Sequence, residues 1–120
     1  MQYISTRGQA PTIGFCDVLL AGLARDGGLY VPETWPKLIG LTGGASVAST
    51  KNSAAVSYAQ RAAQIMSPFV GDEIDRQVFE RLCVEAYSTF RHPEVAPLVE
   101  IGPNEYLLEL FHGPTLAFKD

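Results

Sequence analysis

The feature that most constrains the fold of this sequence is an apolar repeat between Asp72 and Phe90. Apolar residues recur there at every fourth position, at Ile74, Val78, Leu82, Ala86 and Phe90. The other side of the same stretch is charged, with Arg76, Glu80, Arg81 and Glu85. One apolar and one charged face are typical of a helix packed on a core. The repeat predicts a helix over residues 73–90 with its start marked by Asp72, and its apolar stripe is flanked by Phe79, Cys83 and Tyr87.

A second helix is predicted over residues 57–69. Ser57 and Gln60 have the spacing of a capping box, in which each side chain accepts a hydrogen bond from the other residue's backbone N–H. Pro68 marks the expected end of this helix, because proline disrupts a helix interior. The predicted buried stripe consists of Tyr58, Ala62, Ile65 and Phe69.

A third helix is predicted over residues 14–24, before these two. Its apolar stripe has helical spacing and consists of Phe15, Val18, Leu19, Gly22 and Leu23. The run Asp26-Gly27-Gly28 stops it, since glycine accepts the left-handed conformation that ends helices.

Short extended segments complete the predicted α/β structure. Strands are expected at Gln2–Thr6 and at Leu29–Val31, where Pro32 ends the second one. Leu98–Ile101 and Tyr106–Phe111 flank a Gly-Pro-Asn-Glu turn and predict a β-hairpin. Pro114 is then placed as the first residue of a further helix. The Gly-, Ser-, Thr- and Ala-rich residues 40–55 predict a flexible surface loop.

Composition and residue spacing argue against several classes of function. Nine basic and thirteen acidic residues give a net charge of −4 without a Lys/Arg cluster, which disfavours nucleic-acid binding. Cys16 and Cys83 lie far apart and are expected to be reduced, buried hydrophobic residues. His92 and His112 lack partners at metal-ligand spacing, so no metal site is predicted.

The sequence also gives no sign of export or membrane insertion. The first residues lack the basic and apolar regions of a signal peptide. The longest apolar stretch, Val18–Ala24, is far too short to span a bilayer. A cytoplasmic protein is expected, and the sequence gives no signal for an oligomeric state.

Lys119 is the residue with the clearest chemical potential. The apolar run Leu116–Phe118 precedes it, and apolar surroundings lower the pKa of a lysine. An unprotonated lysine amine can form a Schiff base with an aldehyde. The alternative is an ordinary solvated lysine, the commoner situation for this residue type. The residues alone leave both interpretations open.

Several strings of the sequence together resemble the threonine synthase family. The string from Leu110 to Asp120, LFHGPTLAFKD, resembles the family's motif around its cofactor lysine. Tyr3–Gly8, the segment from Ala21 to Glu33 and the helix end Ile65–Phe69 resemble the same family. The resemblance covers nearly the whole chain except residues 38–55.

The resemblance implies a fold-type II enzyme dependent on pyridoxal 5'-phosphate. Such enzymes, which are carbon–oxygen lyases, convert O-phospho-L-homoserine and water to L-threonine and phosphate in the last step of threonine biosynthesis. By the resemblance, Lys119 holds the cofactor as a covalent aldimine and moves protons on the substrate. The hairpin would lead into the helix that bears Lys119. Residues 1–95 would form an amino-terminal domain, and residues 96–120 would begin the cofactor-binding domain.

Other residues have two possible roles each under this resemblance. Phe118 either packs near the cofactor or is an ordinary core aromatic residue. Ser5, Thr6 and Arg7 either contact a substrate phosphate or form a strand end and turn. His112 is either a turn residue or an acid–base group.

The sequence departs from the family in length. Threonine synthases are several times longer, and the glycine-rich loop that binds the cofactor phosphate follows the lysine. We therefore expect a truncated protein whose chain is inactive alone. The alternative is a non-catalytic module that acts in packing or partner binding.

Overall fold

The computed structural model describes residues 1–37 and 56–120, which form mixed helices and strands as the α/β prediction requires. The predicted loop at residues 40–55 lies outside the described residues. The elements in chain order are β1 (Gln2–Ser5), β2 (Ile13–Gly14), α1 (Phe15–Ala21), β3 (Tyr30–Pro32), α2 (Tyr58–Val70), α3 (Arg76–Tyr87), β4 (Leu98–Gly102) and β5 (Glu105–Leu108).

A three-stranded antiparallel sheet forms the amino-terminal unit, in the order β2-β1-β3. Tyr3 pairs with Ile13 on one side and with Pro32 on the other. Along β1, Tyr3 and Ser5 are buried and Gln2 and Ile4 are exposed, which is the alternation of a strand with one covered face. The strands predicted at Gln2–Thr6 and Leu29–Val31 are confirmed as β1 and β3.

Helix α1 is shorter than the predicted helix at residues 14–24. It ends at Ala21 because Gly22 has a positive φ of 67° and donates its N–H to the carbonyl of Val18. Gly22 is therefore the cap of the helix and not part of its apolar stripe. Within the predicted apolar stripe, Phe15 and Val18 are half-buried, whereas Leu19 and Leu23 are each 64% exposed.

Helices α2 and α3 pack against each other through small side chains. Their core consists of Ala59, Ala63 and Cys83, with Phe79 and Tyr87 packed beside it. The capping box of Ser57 and Gln60 is confirmed, with both hydrogen bonds present.

The buried faces of both helices differ from the predicted ones. The predicted stripe of α2 was Tyr58, Ala62, Ile65 and Phe69, but the buried residues are Ala59, Ala63 and Val70. In α3, Val78 and Leu82 are exposed, and Cys83, predicted to flank the stripe, is buried. Alanines at the contact let the two backbones approach closely, so the larger side chains lie at its margins. Tyr58, for example, meets Tyr87 edge-on at 4.9 Å between ring centroids.

The boundaries of α2 and α3 also differ from the prediction. Pro68 lies inside α2, which continues to Val70 and ends where Gly71 adopts a φ of 68°. Helix α3 begins at Arg76 and not near Asp72, because the Asp75 carboxylate caps it by accepting the N–H groups of Gln77 and Val78. No helix among the described residues is long and apolar enough to cross a membrane.

The predicted β-hairpin is confirmed as β4 and β5, with Asn104 at a φ of 62° in its turn. The helix predicted from Pro114 is wrong. The segment instead forms two turns, closed by N–H to carbonyl bonds from Leu116 to Gly113 and from Asp120 to Ala117, both 3.2 Å long. Leu116 has a φ of 62°, which an α-helix excludes. So few residues give too few hydrogen bonds to offset the cost of starting a helix.

Candidate functional site

Lys119 lies in the second of the two turns that follow the hairpin. Its side chain is exposed, and its Nζ is 5.9 Å from the centroid of the Phe118 ring. Phe118 is 73% exposed, so the described residues do not bury it in a core. The structure thus brings Lys119 and Phe118 together on an open segment. Their roles toward a cofactor stay predictions.

The turn that carries Lys119 is closed by the neighbouring Asp120 carboxylate. Asp120 accepts a hydrogen bond from the Thr115 backbone N–H at 2.9 Å and a second, short one from the Thr115 hydroxyl. The hydroxyl bond in particular lowers the pKa of Asp120 below its ordinary range, although partial burial acts in the opposite direction. A side chain at Gly113 would overlap Asp120, so glycine permits this closure. The carboxylate remains ionised at neutral pH.

The segment before these turns holds a pair of polar side chains. The Nε2 of His112 lies 2.6 Å from Oε2 of Glu109. The centroid of the His112 ring also lies 5.0 Å from that of His92 and 4.8 Å from that of Phe111, and the ring planes are tilted in both pairs. This pair was not predicted, although the i, i+3 spacing of Glu109 and His112 is visible in the sequence.

Ser5, Thr6 and Arg7 lie together at the end of β1, where their side chains bind the loop that leads into β3. The Ser5 hydroxyl lies 2.8 Å from both carboxylate oxygens of Asp26. Arg7 Nη1 donates to the Asp26 carbonyl at 2.9 Å, and the Leu29 N–H donates to the Thr6 hydroxyl at 3.0 Å. These contacts organise the loop. A role of the three residues in substrate binding stays a prediction.

Asp26 is the centre of this loop, although it was predicted only as part of the run that stops a helix. Partial burial alone would raise the pKa of Asp26, but hydrogen bonds from the Gly28 N–H, the Ser5 hydroxyl and the Gln9 N–H lower it overall. A Cβ at Gly28 would overlap the Ser5 hydroxyl. Glycine at this position therefore lets the loop close on β1.

Glu73, from the loop between α2 and α3, caps the amino terminus of α1. Its carboxylate accepts the N–H groups of Phe15 at 2.8 Å and Cys16 at 2.9 Å. These two bonds, Cys16 first, lower the pKa of Glu73. Gly14 has no side chain to cap α1, and a Cβ there would overlap the Glu73 carboxylate. A glycine and a remote acid thus replace the usual local cap.

Neither cysteine is an activated nucleophile. Partial burial and then the charge of Glu73 raise the pKa of the Cys16 thiol, and burial and then Glu80 raise that of Cys83. Both are free thiols, as predicted, although Cys16 is only half-buried. In the part of the chain that the structure describes, no three His, Cys, Asp or Glu residues are arranged to hold a metal ion.

The predicted site residues therefore fall into two groups. Ser5, Thr6 and Arg7 surround Asp26, and Lys119 and Phe118 occupy the turns after the hairpin. Across residues 1–37 and 56–120, no hydrogen bond or ion pair joins the two groups.

Comparisons with known proteins agree on one family. A family model described as the threonine synthase N terminus matches residues 2–87. Threonine synthase from Pseudomonas aeruginosa is 49% identical over the entire chain, which covers 24% of that protein. The crystal structure of PLP-bound threonine synthase from Brucella melitensis is 51% identical, with a TM-score of 0.79 over 99% of this chain and 24% of its own. Threonine synthase from yeast is 40% identical, with the same TM-score over 98% of this chain and 23% of its own. The chain spans about a quarter of the length of these relatives.

Proposed function

Because the chain belongs to the threonine synthase family, we propose that it forms the amino-terminal part of a threonine synthase that binds pyridoxal 5'-phosphate through Lys119. The proposed reaction converts O-phospho-L-homoserine and water to L-threonine and phosphate. The observation that carries the proposal is the match of the complete chain, including the segment with Lys119, to a threonine synthase.

The residues around Lys119 fit such a cofactor. Lys119 offers a primary amine on an open segment, and an amine of this kind bonds covalently to an aldehyde carbon. Phe118 offers an exposed aromatic face beside it. When bound, the cofactor supplies an electron sink for negative charge that develops on an amino-acid substrate.

In this proposal the Lys119 amine has two tasks. It would hold the cofactor covalently, and as a free amine it would carry protons to and from the substrate carbons at about 3 Å contact. Asp120 keeps the turn closed by accepting a hydrogen bond from the Thr115 N–H. This bond fixes the backbone that carries Lys119. Among the residues at the end of β1, Arg7 remains the candidate for a substrate phosphate. Its guanidinium is exposed, and toward the described residues only its Nη1 donates a hydrogen bond.

We also propose a division of the chain at residue 95. Residues 1–95 would serve as the amino-terminal domain and residues 96–120 as the beginning of the cofactor domain. The hairpin β4–β5 belongs to the second part under this division, together with the turns that carry Lys119.

Borohydride reduction of the full-length protein that contains this chain tests the proposal. Reduction should fix the cofactor on Lys119, and peptide mapping should find the adduct there. Lys119→Ala should lose the adduct and the release of phosphate from O-phosphohomoserine. Lys37→Ala, an exposed lysine outside both groups, is the control and should keep both. An adduct on a lysine other than Lys119 would show that the assignment is wrong.

The purified 120-residue chain should release no phosphate from O-phosphohomoserine, even with cofactor supplied. Its described residues leave Lys119 and Phe118 open to solvent, so they do not enclose a substrate. Phosphate release well above a Lys119→Ala control would contradict this expectation.

A further inference from the structure

The Glu109–His112 side-chain pair lies where the chain leaves the hairpin and enters the turns that carry Lys119. A backbone hydrogen bond fixes the main chain at each of the two residues. The Glu109 N–H donates to the Pro97 carbonyl at 3.0 Å, and the Arg91 N–H donates to the His112 carbonyl at 2.8 Å. The two side chains join each other between these ties at 2.6 Å.

Hydrogen bonds also hold the rings of the two histidines. An ionised carboxylate only accepts hydrogen bonds, so Nε2 of His112 carries a hydrogen and donates it to Glu109. The Glu94 N–H donates to Nδ1 of His92 at 3.2 Å, which holds this second ring beside His112. The His92 and His112 ring centroids are 5.0 Å apart, and the two ring planes are tilted by 43°.

The pair is sheltered enough to hold a fixed geometry. The side chains of His112 and Glu109 are only 18% and 21% exposed. Hydrogen bonds to charged groups are the stronger class, and partial burial limits competition from water. The next residue, Gly113, is buried, and its carbonyl accepts the N–H that closes the first of the two turns.

We propose that Glu109 and His112 are positioning residues that set the direction in which the Lys119 segment leaves the hairpin, and thereby the place of the lysine amine relative to the cofactor. This inference rests on the proposed function, because it concerns a cofactor held by Lys119. The pair acts through the backbone of Gly113 and touches neither cofactor nor substrate.

The test compares three substitutions in the full-length protein. Glu109→Ala removes the pair, and Glu109→Gln keeps an acceptor at the same position. Glu105→Ala is the control, because Glu105 is an exposed acid on the same hairpin without a side-chain hydrogen bond to the described residues. The measurements are cofactor affinity by absorbance titration and the rate of borohydride trapping at Lys119. Both are made well below the unfolding temperature of each protein.

Glu109→Ala should weaken cofactor binding about tenfold, the effect expected for one charge-assisted hydrogen bond. It should also slow trapping at Lys119, while Glu109→Gln largely restores both and Glu105→Ala changes neither. A Glu109→Ala protein that is folded and binds cofactor like the wild type would overturn the proposal, since the pair would then serve stability alone.

If Glu109→Ala does not fold, Glu109→Asp decides the question, because it keeps the charge but withdraws the carboxylate from His112. Loss of affinity in that variant supports the proposal, and wild-type affinity refutes it. Trapping of the wild-type protein on a different lysine would instead reject the proposed function, so the two failures are distinguishable.

Discussion

Replacing Tyr3 by phenylalanine tests the link between the amino-terminal sheet and α2. The Tyr3 hydroxyl donates to the Phe69 carbonyl at 2.7 Å, across a sequence separation of 66 residues. The Tyr3 side chain is 7% exposed, and its ring lies 6.2 Å from that of Phe15. Phenylalanine keeps the ring and its packing, so the substitution removes the hydrogen bond alone.

The expected loss of stability depends on the Phe69 carbonyl, which the substitution leaves without its hydrogen-bond donor. A buried hydrogen bond contributes about 1 kcal/mol net, and leaving its partner unpaired adds to the loss. The Phe69 carbonyl is in the last turn of α2, where no further helical N–H can reach it. Phe69 is half-buried, so water recovers part of the loss. We expect the free energy of unfolding to fall by about 1.5 kcal/mol, or the melting temperature by about 5 °C.

Urea unfolding of the purified chain, followed by circular dichroism, measures this loss. Tyr30→Phe is the matched control, because the Tyr30 hydroxyl reaches the Pro11 carbonyl only at 3.4 Å in an exposed place. The control should change stability by less than about 0.5 kcal/mol. Equal effects of the two substitutions would refute the argument that the buried Tyr3 bond joins the sheet to the helix.

Three further predictions concern local contacts. Ser57→Ala should destabilise α2 by about 1 kcal/mol through loss of its capping box, measured by the same unfolding assay, and no change would contradict that role. The lowered pKa of Glu73 means that its stabilising effect is present above its ordinary value of 4.5 and is lost as the pH falls through the folded-state pKa. Glu73→Gln should therefore lose less stability on acidification than the wild type, and an unchanged acid-unfolding curve would count against the cap. Gly28→Ala should lower the free energy of unfolding by about 1–3 kcal/mol, because the added Cβ would displace the Ser5 hydroxyl. Stability equal to that of the wild type would show that the loop can shift without loss of stability.

The parts of the fold that depend on neighbouring residues were predictable from the sequence. The capping box of Ser57 needs only Gln60, three positions away, and the hairpin turn needs only the Pro103-Asn104 pair. The buried faces of α2 and α3 were not predictable in the same way. A helical repeat shows that one face is apolar, but the partner helix decides which apolar residues are covered. In this case it covers Ala59 and Ala63.

The same difference between local and long-range features applies to the candidate site. The motif around Lys119 was recognisable because it is a contiguous string of residues. The contacts of Asp26 with β1 and its turn, and those of Glu73 with α1, were missed because these partners lie 17 to 58 residues away. A single sequence gives no pairing signal over such a distance. The helix predicted from Pro114 was wrong for a different reason. Leu116 adopts a left-handed conformation, which residue propensities do not predict.

The remote cap of α1 has a consequence for synthesis on the ribosome. Phe15 and Cys16 lie 58 and 57 residues before the Glu73 carboxylate that accepts their N–H groups. A chain made from its amino terminus thus presents α1 to solvent with its first turn uncapped until Glu73 has emerged from the exit tunnel. The Tyr3 bond to Phe69 imposes a similar delay on the sheet. Although domains generally fold in the order of their synthesis, the first helix of this chain is completed only after the second has been made.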